Sequence, residues 1–116
     1  MVERLQRPDV DPYVIEHDGR PIGYLQAWYP EADPGVAGLD MFLVPSARGR
    51  GLGPDAARTL ATWLLGSGGM HRVTVDTDPS NERAVKGWAK AGFRPEGEVR
   101  DPDEWNTHPW LLMVME

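Results

Sequence analysis

Six consecutive residues, Arg48-Gly49-Arg50-Gly51-Leu52-Gly53, constrain this chain more than any others. An apolar run at 39–44 leads into them, and a run with helical spacing at 56–65 follows. A short apolar run bounded by turn residues fits a buried strand, while residues 52, 56, 60 and 64 recur every fourth position as on one helix face. The chain must therefore turn from strand to helix within a few residues. Glycine suits the turn because it takes positive φ at little cost. Gly51 and Gly53 also carry no side chain to hold an anion away from the backbone N–H groups. The helix start adds unpaired N–H groups and the positive end of its dipole. Arg48 and Arg50 add charge. The expectation is a phosphate cradle; the alternative is a tight turn with a structural role only.

The rest of the pattern surrounds this unit. Residues 13–17 read as a strand, Asp18-Gly19 as a hairpin turn, and 21–29 as the returning strand. A loop rich in proline, glycine and acids occupies 30–38. The first helix runs from about Pro54 to Leu65 and stops at Gly66-Ser67-Gly68-Gly69. Residues 72–76 form a strand. Asp78-Pro79-Ser80-Asn81 then caps a second helix, which ends at Ala91 with Gly92 as its stop. Residues 93–100 and 109–115 read as a closing antiparallel pair joined by a loop at 101–108. Residues 1–12 read as a polar arm, or the remnant of an N-terminal element, ahead of one domain at 13–116. The order ββ–β–α–β–α–ββ predicts an α/β (α+β) fold with a mixed sheet, in three layers, with one parallel crossover.

Composition narrows the function. A length of 116 residues allows one domain. The net charge of −6 argues against a nucleic-acid partner and is compatible with a cationic small molecule. Without cysteine there is no thiolate nucleophile, disulfide or cysteine metal site, and His17, His71 and His108 do not form a metal-ligand pattern. No apolar run approaches the roughly 18 residues of a membrane span, and residues 1–7 hold no apolar signal core. A cytoplasmic location is expected. Asp40 interrupts an otherwise apolar strand, where a carboxylate without a role would be costly to bury.

The glycine run matches the Arg/Gln-x-x-Gly-x-Gly/Ala signature of the GNAT N-acetyltransferases, and Asn81, Ala84 and Ala91-Gly92-Phe93 match their later Asn-x-x-Ala…Gly-Phe block. The chain resembles that superfamily over about residues 13–100. Residues 19–26, 33–40 and 76–81 look like the aminoglycoside 6′-N-acetyltransferase branch. A related branch acylates hydroxylysine in siderophore synthesis. Two departures stand out. Residues 1–12 replace much of the family's N-terminal strand and helices. Trp88 sits where many members have a tyrosine that protonates the leaving thiolate.

The resemblance implies acetyl-CoA as cosubstrate and no metal. Its diphosphate would lie on Arg48, Gly49, Arg50, Gly51, Leu52 and Gly53, and its pantetheine arm would meet main-chain groups of Phe42, Leu43 and Val44. Asn81 would bond to that arm, or else cap the helix. Asp40 would handle the acceptor's ammonium or act as base, or else be solvated. Asp78 is the second candidate, with Asp76 behind it. Trp28, Tyr29, Glu31 and Asp33 would wall the acceptor, or else pack on the sheet and meet solvent. Trp63 would be core or a dimer contact, and Trp105 and Trp110 flank the last loop. The implied function is direct acetyl transfer to a primary amine of a polar, aminoglycoside-like molecule, with antibiotic resistance as its consequence. The alternatives are acylation of a hydroxylysine siderophore precursor, or a non-catalytic acetyl-CoA-binding module. An uncovered sheet edge makes a homodimer plausible.

Overall fold

A computed structural model describes residues 10–116 of the chain. Six strands form one mixed sheet: β1 Val10–His17, β2 Arg20–Trp28, β3 Val36–Leu43, β4 Arg72–Thr77, β5 Arg94–Pro95 and β6 Leu111–Met115. Their spatial order is β1-β2-β3-β4-β6-β5. Helix α1, Leu52–Leu65, connects β3 to β4, and helix α2, Glu82–Ala91, follows β4. The expected element order is observed, and the strand–helix–strand unit is the one parallel crossover.

Local chemistry explains most boundaries. Asp18 and Gly19 both take positive φ, 52° and 75°, as a two-residue hairpin requires. Asn81 caps α2 by accepting from the Ala84 N–H at 3.1 Å, and Gly92 ends it at φ 109°. Other boundaries moved. β1 begins at Val10, so residues 10–12 belong to the sheet rather than to an arm; residues 1–9 of the expected arm lie outside the described residues. β3 begins at Val36, inside the expected loop. Gly38 looks like a strand breaker in sequence, yet Trp28 lies across it: a Cβ there would stand 2.1 Å from the indole. The expected strand at 93–100 shortens to Arg94–Pro95, with an isolated bridge between Arg100 and Trp110.

The described residues form two layers, not the expected three. Both helices cover one face of the sheet and share one apolar cluster, which includes Leu25, Leu39, Val73, Val75, Met113, Ala57, Ala61, Leu64 and Phe93. Leu64, Met113, Val73 and Val75 are almost fully buried, and each stabilises the fold by roughly 1.5–3 kcal/mol relative to exposure. Ala57 and Ala61 let α1 approach the sheet closely. Arg58 ties the helices together by donating to the Lys90 and Ala91 carbonyls at the end of α2. Its charge also suits the negative end of that helix dipole. No helix of the described residues is long and apolar enough to cross a membrane.

Candidate active site

The parallel pairing of β3 with β4 covers only Val36, Ala37 and Gly38, opposite Arg72, Val73 and Thr74. Beyond Gly38 the two strands diverge, and β3 leaves backbone groups without a strand partner on that side. The register says which ones. The Val44 N–H is bonded to the Ile22 carbonyl on the β2 side, at 2.9 Å. Backbone direction alternates along an antiparallel strand, so Phe42 also points its main chain at β2, while Met41 and Leu43 point theirs into the opening. Of the three residues expected to offer main-chain groups, Leu43 thus turns them into the opening and Phe42 and Val44 turn them toward β2, while Met41 joins Leu43. The Leu43 carbonyl accepts from Arg48 Nε at 3.1 Å, as an outward-facing group can.

A cleft of about 740 Å³ adjoins this stretch. One wall is Met41, Phe42 and Leu43 with Arg48, Gly49, Gly51, Gly53 and Pro54; the other is the outer face of α2 from Glu82 to Lys90. The glycines divide their labour. Gly49 and Gly51 take φ 75° and 77°, and a Cβ on either would meet nothing within 4 Å. Their outer side is open to an incoming group. Gly53 is different: its Cβ would strike Leu43 Cδ1 at 2.8 Å, so this glycine lets α1 press against β3 rather than admitting an anion. Leu52 opens the helix, and Arg50 is exposed beside the cradle.

The α2 wall adds residues that the sequence reading missed. Arg83, Lys86 and Lys90 all line the cleft, so with Arg48 it holds four cations against one carboxylate, Glu82. Their spacing of three and four residues places them on one helix face, a signal legible in sequence. Trp88 lines the same wall and meets Phe93 edge-on, with ring centroids 5.5 Å apart. Asn81 lies before this wall, and its side-chain oxygen is used as the helix cap.

On the opposite, helix-free face of the described sheet two carboxylates, Asp40 and Asp76, flank the opening. Asp40 is exposed there, not buried, so a burial cost is not what marks it. Tyr24 donates to Gln26 at 2.7 Å and Gln26 donates to Asp40 at 3.2 Å, which holds the carboxylate in place. Asp76 on β4 faces Asp40 across the opening and interacts with its charge. Asp76 is itself exposed on the strand, so only partial desolvation by the neighbouring loop holds its carboxyl above the usual carboxylate range; Asp40 and Asp103 push the same way, against Asn106 and Arg100. Asp78, the expected second catalytic residue, has one oxygen, Oδ1, engaged in the turn before α2. It accepts from the Ser80 N–H at 2.9 Å and the Ser80 hydroxyl at 2.7 Å, bonds that hold its carboxyl below the usual range. Asp76, ranked behind it in sequence, is the carboxylate that Asp40 meets.

The expected acceptor wall is only partly assembled. Trp28 lies against Gly38, two residues before Asp40 on the same face of β3. Tyr29 packs on the core and donates to Asp11 at 2.8 Å. Glu31 and Asp33 are exposed in the turn before β3 and are not among the charges that act on Asp76. Trp63 is neither core nor part of this site: it is half exposed beside an apolar groove between α1 and the first hairpin.

The sequence matches the acetyltransferase (GNAT) domain family over residues 1–101. It is 36% identical over 110 residues to the aminoglycoside N(6′)-acetyltransferase type 1 of Klebsiella pneumoniae, covering 85% of this chain and 55% of the relative. A kanamycin resistance protein of Rhizobium radiobacter is 39% identical over 77 residues, 66% of this chain and 71% of its own length. A crystal structure of aminoglycoside acetyltransferase AAC(6′)-Ib with coenzyme A and kanamycin superposes with a TM-score of 0.77. It is 35% identical, over 92% of this chain and 66% of that one. The Vibrio cholerae spermidine N-acetyltransferase shares the fold at a TM-score of 0.80 with 15% identity, over 95% of this chain and 67% of that one. The chain thus spans little more than half the length of the Klebsiella relative. With a glycine turn at the head of α1, a forked pair of central strands and a matched sequence that includes both, this chain belongs to the GNAT acetyltransferase family.

Proposed function

We propose that this chain binds acetyl-CoA in the basic cleft and transfers the acetyl group to an amino group of an aminoglycoside held beside Asp40 and Asp76. The observation that carries the proposal is the fork between β3 and β4. It joins an open glycine cradle to outward-facing main chain, with two carboxylates on the other side. The relatives' names support the choice of acceptor: one is an aminoglycoside N(6′)-acetyltransferase, and AAC(6′)-Ib is seen with coenzyme A and kanamycin.

The residues fit such a cofactor. The backbone around Gly49 and Gly51 would receive the diphosphate, because positive φ turns N–H groups outward and no Cβ blocks them. Arg48, Arg83, Lys86 and Lys90 would offset its remaining charge. The backbone of Met41 and Leu43 would hold the pantetheine arm. Bound acetyl-CoA supplies an activated acyl thioester. On the acceptor side, Asp40 attracts the ammonium, and Asp76 takes the proton so that the amine attacks in neutral form. A carboxylate whose proton affinity is raised toward the working pH does this better than an ordinary one. With no cysteine in the chain, attack on the thioester is direct. An indole has no readily transferable proton, so Trp88 does not act as the acid; solvent protonates the departing thiolate.

The test is thiol release from acetyl-CoA with kanamycin as acceptor. Mass spectrometry of the product should show one added acetyl group. An analogue whose reacting amine is replaced by hydroxyl should give no turnover. Coenzyme A binding without turnover on any amine would instead favour a binding module. A hydroxylamine acceptor whose rate ignores Asp40→Asn would favour the siderophore-type reaction.

A further inference from the structure

The loop at 101–108 is pinned more firmly than a strand connection requires. Arg100 and Trp110 exchange backbone hydrogen bonds of 2.7 and 3.1 Å at its base. Within it, Asp103 Oδ1 accepts the N–H groups of Trp105 and Asn106 at 2.8 and 2.7 Å. The Asp103 N–H returns to the Asn106 carbonyl at 2.8 Å. The Asn106 backbone is thus held at both its N–H and its carbonyl. From there its side-chain amide donates to Asp76 Oδ2 at 3.4 Å.

We propose that Asn106 is a positioning residue for the Asp76 carboxylate, so that the closing loop, and neither helix, orients the group that takes the acceptor's proton. The proposal rests on the acetyltransferase reading above. Charged groups reach Asp76 from two segments: Asp40 on β3, and Arg100 and Asp103 on the leading arm of the loop. Apolar Leu112 lies opposite it on β6, while Asp78 on its own segment is engaged by Ser80 and faces His108. Asn106 is the neutral donor in that set. An amide donor favours the ionised carboxylate and aims one oxygen, whereas partial desolvation, Asp40 and Asp103 favour the protonated form. Without it, Asp76 should hold its proton to higher pH and lose its fixed direction.

Two measurements on the full chain test this. The first needs no turnover: carbon-detected NMR titration of the Asp76 carboxyl in wild type, Asn106→Ala and Asn106→Asp. The midpoint should rise in that order, because the second variant replaces a donor with another carboxylate. The second is the pH dependence of kcat/KM for kanamycin acetylation. The acidic limb should move upward in Asn106→Ala, and the plateau should fall about 5-fold, the worth of one modest hydrogen bond. The KM for acetyl-CoA should stay as in wild type. An Asp76 midpoint identical in all three proteins overturns the proposal, as does an unmoved acidic limb. If the midpoints move in order but wild type acetylates no amine, the positioning role stands and the acetyltransferase reading fails.

Discussion

The two sides of β3 make opposite environments from one strand. Toward the helices it turns Leu39, Met41 and Leu43, and beside them lies the cleft with four cations and one carboxylate. Away from the helices it turns Gly38, Asp40 and Phe42; Phe42, at the edge, also borders the cleft beneath Arg48, while Asp40 and Asp76 face each other further along. The alternation of a strand separates the two sets by a single residue step. An anionic cofactor and a cationic acceptor would therefore meet at the fork while each is attracted to its own face. The net charge of −6 conceals this division, because the sum over the chain says nothing about which charges share a surface.

The comparison can be broken most severely at the glycine turn. Gly51→Glu puts a side chain at φ 77° and a carboxylate into the cradle. Backbone strain and charge repulsion together should weaken coenzyme A binding by about 100-fold or more in calorimetry. Acceptor affinity should hardly change. The converse experiment is Asp76→Asn, which should lower kcat/KM for the aminoglycoside by about 10–100-fold and leave coenzyme A binding intact, as expected for a charged hydrogen-bonding group. If either variant damages both ligands equally, the two faces are not independent.

Smaller changes sharpen the division. Lys86→Glu should weaken coenzyme A binding about 3–10-fold, and less so as salt is raised, because an exposed charge is screened. Trp88→Phe should leave kcat within about twofold, since it removes no transferable proton. A fall of 100-fold would show that the indole N–H takes part in the reaction. The smallest effect is on stability. The native Asp76 carboxyl titrates above the usual carboxylate range, so the folded state binds more protons than the unfolded state between those two limits. Asp76 therefore disfavours folding increasingly as pH rises through that window, and fully above it. Asp76→Asn should melt slightly higher than wild type at pH 7, with the gain vanishing at low pH. Differential scanning calorimetry across pH 3–8, roughly the range in which perturbed carboxylates titrate, checks the sign.

Legibility followed the range of the interaction. The hairpin at Asp18-Gly19, the cap at Asn81 and the stop at Gly92 were all readable, because each depends on dihedral preferences and side chains a few residues apart. The start of β3 was misread, since the reason Gly38 sits in a strand is an indole ten residues earlier on β2. Gly53 was read as part of the anion cradle, yet it is needed for contact with Leu43 and Met41. Asp78 was placed ahead of Asp76 even though its Asp-Pro-Ser-Asn setting also reads as a helix cap, and the bonds it accepts from Ser80 belong to that turn. The surroundings of Asp76 come from Asp40 and Asn106, at separations of 36 and 30 positions in the chain.

By itself, the sequence determined the order of elements, the glycine turn at the head of α1 and the family to which both belong. These follow from periodicity, from backbone preference and from motifs that are contiguous along the chain. The tertiary structure alone decided which backbone groups of β3 face the fork, which carboxylate opposes Asp40, and that the basic residues of α2 share a wall with the cradle. Each of those depends on register and on the packing of distant segments. A side chain's chemistry belongs to its residue, but its direction and its neighbours are set only when the strands have paired.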